Sequence, residues 1–209
     1  MEIIHYKLLG LAAFLMSLRV VFTYFEVLSP RLRRVLCDYL DAGTVASFAA
    51  IFLVTFVFQV SRVEGDSMMP SLQDGQYALV NKLIYHLHPP QRGDVIVFKA
   101  PDEPNKDYIK RVIALPGEKI EVRNGWVWIN GLKLKEPYVM NRPDYSRKPE
   151  VIKPRHVFVL GDNRQNSSDS HLWGQLPFHK IRGKSSFIMW PPSAIGLVRS
   201  YSKGNRWAS

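Results

Sequence analysis

The sequence predicts a mainly β protein in which an N-terminal transmembrane helix, with a candidate second one before it, precedes an antiparallel β-sheet domain. Three observations carry that expectation. Residues 42–60, AGTVASFAAIFLVTFVFQV, hold no charged side chain. Residues 120–134, IEVRNGWVWINGLKL, alternate apolar and polar positions around two Asn-Gly pairs. Beyond Arg62, no long stretch shows the apolar period of a helix. The 209 residues therefore divide into a membrane-anchor region (1–62), a β-rich domain (63–192) and a basic tail (193–209) expected to be loosely ordered.

A helix needs about 20 apolar residues to cross roughly 30 Å of hydrocarbon, and Ala42–Val60 meets that length. Asp41 and Arg62 bound it. The earlier stretch Leu8–Phe25 is apolar as far as Leu18, but Arg19 interrupts it. A charge at the bilayer centre costs about 3 kcal/mol. That leaves three readings open: a marginal second span, a helix lying in the interface, or a docked helix. A cleaved signal peptide is not expected, because Glu2 and Lys7 make a weak leading region and no Ala-X-Ala-like site follows closely. Between the two stretches, SPRLRRVLC carries Arg31, Arg33 and Arg34. Short Arg-rich loops stay on the cytoplasmic side, so the helix is expected to run outward and the rest of the chain to face the extracytoplasmic space.

In the β domain, Asn124-Gly125 and Asn130-Gly131 are two-residue hairpin signals between alternating runs. DVIVFKAP and DYIKRVIALPG add β-branched strands closed by Pro or Gly, HVFVLGDN adds another ending at Gly161, and SSFIMWPP is a last strand stopped by paired prolines. No internal repeat is evident.

The formal net charge is +10. Nucleic-acid binding is one reading of such a balance, but no helix-turn-helix, zinc-finger or aromatic RNA-binding pattern accompanies it. A basic surface beside anionic lipid suits a chain with a membrane segment better, and the lipid bilayer is its expected partner, with no nucleic acid. Cys37 is the single cysteine, so no disulfide can close within the chain.

Three polar segments stand out. In Gly65-Asp66-Ser67-Met68-Met69-Pro70, Gly and Pro force a turn that could expose the Ser67 hydroxyl, though taken alone it is one more turn serine. In Tyr108-Ile109-Lys110-Arg111-Val112-Ile113, strand alternation points Lys110 and Arg111 to opposite faces, so one of the two cations should face inward. A buried lysine can lose its proton near neutral pH and act as a base, whereas arginine stays charged. Both could equally snorkel to solvent. The third segment, residues 161–171 (GDNRQNSSDSH), reads either as a solvated turn or as a hydrogen-bonded shell around a catalytic group.

Together the three resemble the type I signal peptidases. GDSMMPSL at 65–72 matches the family's nucleophile box, YIKRVIALPGE at 108–118 its lysine box, and GDNRQNSSDSHLWG at 161–174 its third box, in the family's order. RGDVIVFKAP at 92–101 resembles the strand between them. The resemblance implies a membrane-bound serine endopeptidase that removes signal peptides from exported preproteins after small residues and uses no cofactor or metal. By position, Ser67 would be the nucleophile, Lys110 the general base, and Ser167 the group that orients the lysine amine. Asp162 and Asp169 would fix the third box, with Arg111 and Arg164 in support. Met68, Leu72 and Ile109 are the expected walls of the substrate pockets. Gly65 stands where some relatives place a serine that completes the oxyanion hole, which leaves the Ser67 N–H and one further donor to be found. His171 stands where many relatives have arginine, and with the following Trp173-Gly174 it is closest to the cyanobacterial and thylakoid branch. A salt bridge from Asp169 to position 171 is therefore in question near pH 7.

Other patterns fail. Ser200-Tyr201-Ser202-Lys203 fits S-x-x-K without its companion motifs. Gly183-Lys184-Ser185 ends like a phosphate-binding loop, but Phe178 occupies the required first glycine. His86 and His88 have no third metal ligand at sensible spacing. Asn166-Ser167-Ser168 is formally a glycosylation site, but it falls inside the third box. A self-cleaving repressor would share Ser-Lys chemistry but would bring a DNA-binding domain. A catalytically silent paralogue that binds exported chains is the non-enzyme alternative.

Overall fold

The computed structural model describes residues 2–24, 29–103 and 105–198. Residues up to Gln59 form one compact unit and those from Val60 a second.

The first unit is a pair of packed helices, α1 (Glu2–Tyr24) and α2 (Pro30–Phe52), with a wider helical turn over Leu53–Val57. Tyr6–Tyr24 and Pro30–Val57 are each long and apolar enough to cross a membrane. Helix α2 begins twelve residues before the expected Ala42, for a local reason. Ser29 caps it, its hydroxyl accepting from the Leu32 N–H at 3.4 Å, and Pro30 supplies a pre-set first turn. Arg31, Arg33 and Arg34 thus lie on helix, not in a connecting loop. The far end also differs from expectation, since Phe58–Val60 are already strand. Arg19, the charge that interrupts the first stretch, bonds Asp41 of α2 at 3.0 Å and Thr23 at 3.0 Å, so the guanidinium has a counter-charge within the helix pair. Phe25 lies outside the described residues.

The second unit is built of two antiparallel sheets. The strands are β1 (Phe58–Arg62), β2 (Tyr77–Asn81), β3 (Val95–Lys99), β4 (Asp107–Ala114), β5 (Lys119–Arg123), β6 (Trp126–Ile129), β7 (Leu132–Lys133), β8 (Arg147–Val151), β9 (His156–Leu160), β10 (Leu176–Pro177), β11 (Ile181–Trp190) and β12 (Gly196–Leu197). The larger sheet runs β1-β2-β11-β3-β4-β9-β10, with β12 on β11, and the smaller runs β7-β6-β5-β8. Both Asn-Gly hairpins form as expected, with Asn124 and Asn130 at φ 51° and 52°. Two short helices, α3 (Ile84–Leu87) and α4 (Ser170–Trp173), interrupt the β pattern.

Strand β4 is where the core clusters meet. Ile113 joins the cluster under the small sheet, Val112 joins the one with Ile96 and Phe98, and Ile109 packs against a third containing Met68, Leu72 and Val95. Every residue from Lys110 to Ala114 is buried, because the strand is central and covered on both faces. A register shift against β9 between Val112 and Ala114 marks where β4 leaves strict alternation. Ser193–Val198 belong to the fold, contrary to the loose tail expected from 193 onward: β12 pairs with β11 and Val198 is buried in the core. Residues 199–209, including the Ser200–Lys203 motif, lie outside the described residues.

Candidate active site

Ser67 follows β1 in a tight turn. Gly65 has φ +79°, a conformation that disfavours any residue with a Cβ, and its N–H donates to the Asp74 carboxylate at 2.7 Å. This gives a backbone reason for glycine at position 65. The Ser67 carbonyl accepts from the Asn163 N–H at 3.0 Å, and the Asn163 side-chain amide donates to the Asp66 carbonyl at 3.3 Å. The segment 161–171 thereby grips the Ser67 turn by its backbone. Among the described residues, no hydrogen-bond partner takes the Ser67 N–H.

Strand β4 brings Lys110 to this turn, its Nζ donating to Ser67 Oγ at 2.6 Å. Only 5% of Lys110 is exposed. Burial pushes its amine down from the ordinary 10.5 to about 8, while the carboxylates of Asp169, Asp102 and Asp162 pull it back up. On the same face, the Tyr108 ring centre lies 5.4 Å from the amine.

Arg111 faces the other way and is fully buried, so both cations are interior where one was expected. It reaches Asp162 through two hydrogen bonds, Nε at 2.8 Å and Nη2 at 2.7 Å. It also donates to the Gly93 carbonyl at 2.9 Å and lies 4.2 Å from the Tyr138 ring centre. Arg164 is likewise buried, donating to the Gly161 carbonyl at 2.9 Å and forming a two-point pair with Glu136. Burial works against the Arg164 charge, but the Glu136 carboxylate outweighs it and holds the guanidinium protonated.

Asp169 accepts from the Gly161 N–H at 2.9 Å and from the His171 N–H at 3.1 Å. The His171 ring also meets it, Nδ1 to Oδ1 at 2.7 Å, and stacks on Tyr145 with centroids 4.0 Å apart. Position 171 therefore does contact Asp169, as a hydrogen bond that becomes an ion pair when the imidazole is protonated. Gly161 is a point of close approach. A Cβ there would sit 2.4 Å from Ser167 Oγ and 2.5 Å from the Ser67 carbonyl.

The Ser167 hydroxyl is buried and has no hydrogen-bond partner among the described residues, so no bond to Lys110 is made in this state. A cleft of about 560 Å³ opens on Ser67, Lys110, Ile109, Tyr108, Ser168 and Glu103. Ile109 lines the cleft. Met68 and Leu72 do not. Both are completely buried in the core behind Ile109 and leave no surface for a ligand.

Three contributors were not foreseen: Glu136, Asn163 and Asp102. Glu136 partners Arg164 from a position 28 residues away in sequence. Asp102 accepts from Ser168 Oγ at 3.0 Å and so ties the loop before β4 to the third box. No local pattern marks either, although Asn163 lay inside a box already singled out.

The described arrangement holds a hydroxyl and a buried amine of lowered basicity in one cleft, with the Ser67 N–H unpartnered among the described residues, which is the equipment for acyl transfer. Comparison with known proteins bears on the family of the whole chain. The family described as "Signal peptidase, peptidase S26" matches residues 36–190. A protein named "Probable signal peptidase I-1" from Synechocystis is 42% identical over 76% of this chain and 84% of its own length. "Signal peptidase I" from Leptolyngbya laminosa is 42% identical over 70% of this chain and 76% of its own. "Thylakoidal processing peptidase 1, chloroplastic" from Arabidopsis thaliana is 35% identical over 72% of this chain and 48% of its own length.

Proposed function

This chain belongs to the S26 family of signal peptidases, and on that premise we propose that it cleaves preproteins with Ser67 as nucleophile and Lys110 as general base. The observation that carries this reading is the 2.6 Å contact between the Ser67 hydroxyl and an amine that is almost wholly buried.

Neutral Lys110 takes the Ser67 proton as Oγ attacks the scissile carbonyl. The Ser67 N–H is free to donate to the oxyanion that forms. Collapse of the tetrahedral species breaks the C–N bond, and the Lys110 ammonium returns its proton to the leaving amine. Water, deprotonated by the same lysine, then attacks the acyl-enzyme carbonyl; collapse breaks the C–Oγ bond, the Lys110 ammonium returns its proton to Ser67 Oγ, and the acid product is released. Ser167, whose hydroxyl has hydrogen-bonding capacity to spare beside Gly161, orients the amine during the cycle. Asp162 and Asp169 hold the third box against the nucleophile turn, Asp162 through Arg111 and Asp169 through Gly161, with Arg164 in support. Ile109 forms the apolar wall that selects small residues, backed by Met68 and Leu72.

The two apolar helices act as a bilayer anchor, with the β domain on the extracytoplasmic or lumenal side of a plasma or thylakoid membrane. Tethering enzyme and substrate to one surface raises their effective concentration.

The test uses the full chain in detergent with a preprotein bearing an Ala-X-Ala site. The parent cleaves at that site, and neither Ser67→Ala nor Lys110→Ala does so above background. An inert parent, or normal cleavage by Lys110→Ala, would overturn the reading and turn attention to a silent, chain-binding paralogue.

A further inference from the structure

The β domain holds a second cavity, larger than the catalytic cleft at about 740 Å³. Its floor includes Tyr85, Phe178 and Ile181, which pack against the core cluster of Ile96 and Phe98. Its rim carries Lys82, Arg155 and Arg182. Among the described residues, no carboxylate lines it, and its other ionisable side chains, apart from Tyr85, are His86, His88 and His179.

The wall is fixed from beneath. The Tyr85 hydroxyl donates to Asp94 Oδ2 at 3.1 Å, and the Gln91 N–H reaches the same oxygen at 3.1 Å. Asp94 is fully buried and paired with Lys184 at 2.6 Å, so its charge is matched inside the fold and not offered to the cavity. On the opposite side, the Arg155 carbonyl accepts from the Phe178 N–H at 2.9 Å, joining rim to floor. Arg182 approaches Asp107 at 3.5 Å, an exposed and weak pairing that leaves its charge available.

An aromatic floor under a cationic rim suits an amphiphile with an anionic head, because the planar guanidinium binds phosphate oxygens while the rings take the apolar part. A soluble phosphate would need no apolar lip. Here Leu87, which lines the cavity, is 81% exposed, and Leu83 beside it is 40% exposed. We propose that this cavity binds the headgroup of an anionic phospholipid, with Leu87 meeting the acyl region. The proposal is independent of the Ser67–Lys110 chemistry.

The test labels the full chain with diethyl pyrocarbonate in uncharged detergent micelles and reads each histidine by peptide mass spectrometry. Phosphatidylglycerol added to the micelles is expected to slow labelling of His86, His88 and His179 by about threefold or more, as for a ligand present above its dissociation constant. His171, in the catalytic domain but away from this cavity's lining, serves as the reference and is unchanged. Phosphatidylcholine gives no protection. The double variant Arg155→Ala/Arg182→Ala loses the protection while its preprotein cleavage matches the parent's. Equal protection by phosphatidylcholine, protection by inorganic phosphate alone, or persistence of protection in the double variant would each overturn the proposal.

Discussion

Lys110 and Arg111 are consecutive cations on β4, both buried, and their surroundings differ in kind. Arg111 meets a carboxylate through two short hydrogen bonds, plus a carbonyl and an aromatic ring. Lys110 meets a serine hydroxyl and makes no ion pair among the described residues. Burial is common to both, so the counter-charge decides what each can do. A paired guanidinium is structural. An unpaired amine is pushed toward its neutral, proton-accepting form. One strand therefore carries a fixed charge on one face and a titratable amine on the other.

Exchanging the chemistry of the two faces gives the largest expected effect. In Lys110→Arg the guanidinium cannot give up its proton, and kcat/KM for preprotein cleavage falls by about a thousandfold or more. On the other face, Arg111→Met leaves Asp162 buried without its partner. Unfolding in denaturant should then show a loss of about 3–5 kcal/mol, and adding Asp162→Leu should recover part of it.

The third prediction concerns stability and carries the opposite sign. The Lys110 pKa is lowered in the folded state, from 10.5 to about 8. Below about 8 the amine is charged in both states, and its burial penalty is fully present. Between about 8 and 10.5 the unfolded chain binds more protons than the folded one, so stability rises with pH, and above 10.5 the penalty is gone. Lys110→Met should therefore stabilise the inactive protein at pH 7 by roughly 2–3 kcal/mol. That gain fades across the same alkaline window in pH-dependent denaturation.

The smallest effect is expected at His171. Asp169 raises the Lys110 pKa, and a permanent cation beside Asp169 offsets that field. His171→Arg should shift the acid limb of the rate profile downward by only a few tenths of a pH unit, leaving the plateau within about threefold.

Local chemistry was legible in the sequence. The Asn-Gly hairpins, the strand ends at Gly161 and Pro191, and the three polar boxes are each written in neighbouring residues. What escaped was either a competing local signal or a distant partner. Ser29-Pro30 starts α2 ahead of the apolar run that drew attention, and it draws three arginines into the helix. Met68 and Leu72 lie close to Ser67 in sequence, yet the turn sends them into the core. Arg111 could not be told from a surface cation until Asp162 arrived from 51 residues away. Side-chain alternation gives a direction, but only the fold supplies what stands there.

The claim that Lys110 works as a neutral base is tested most directly by the pH dependence of preprotein cleavage by the full chain. The rate should climb about tenfold per pH unit on the acid side, as expected for a single deprotonation, and level off above about 8. A rate that is flat through that range, or that falls with rising pH, would contradict a proton-accepting Lys110.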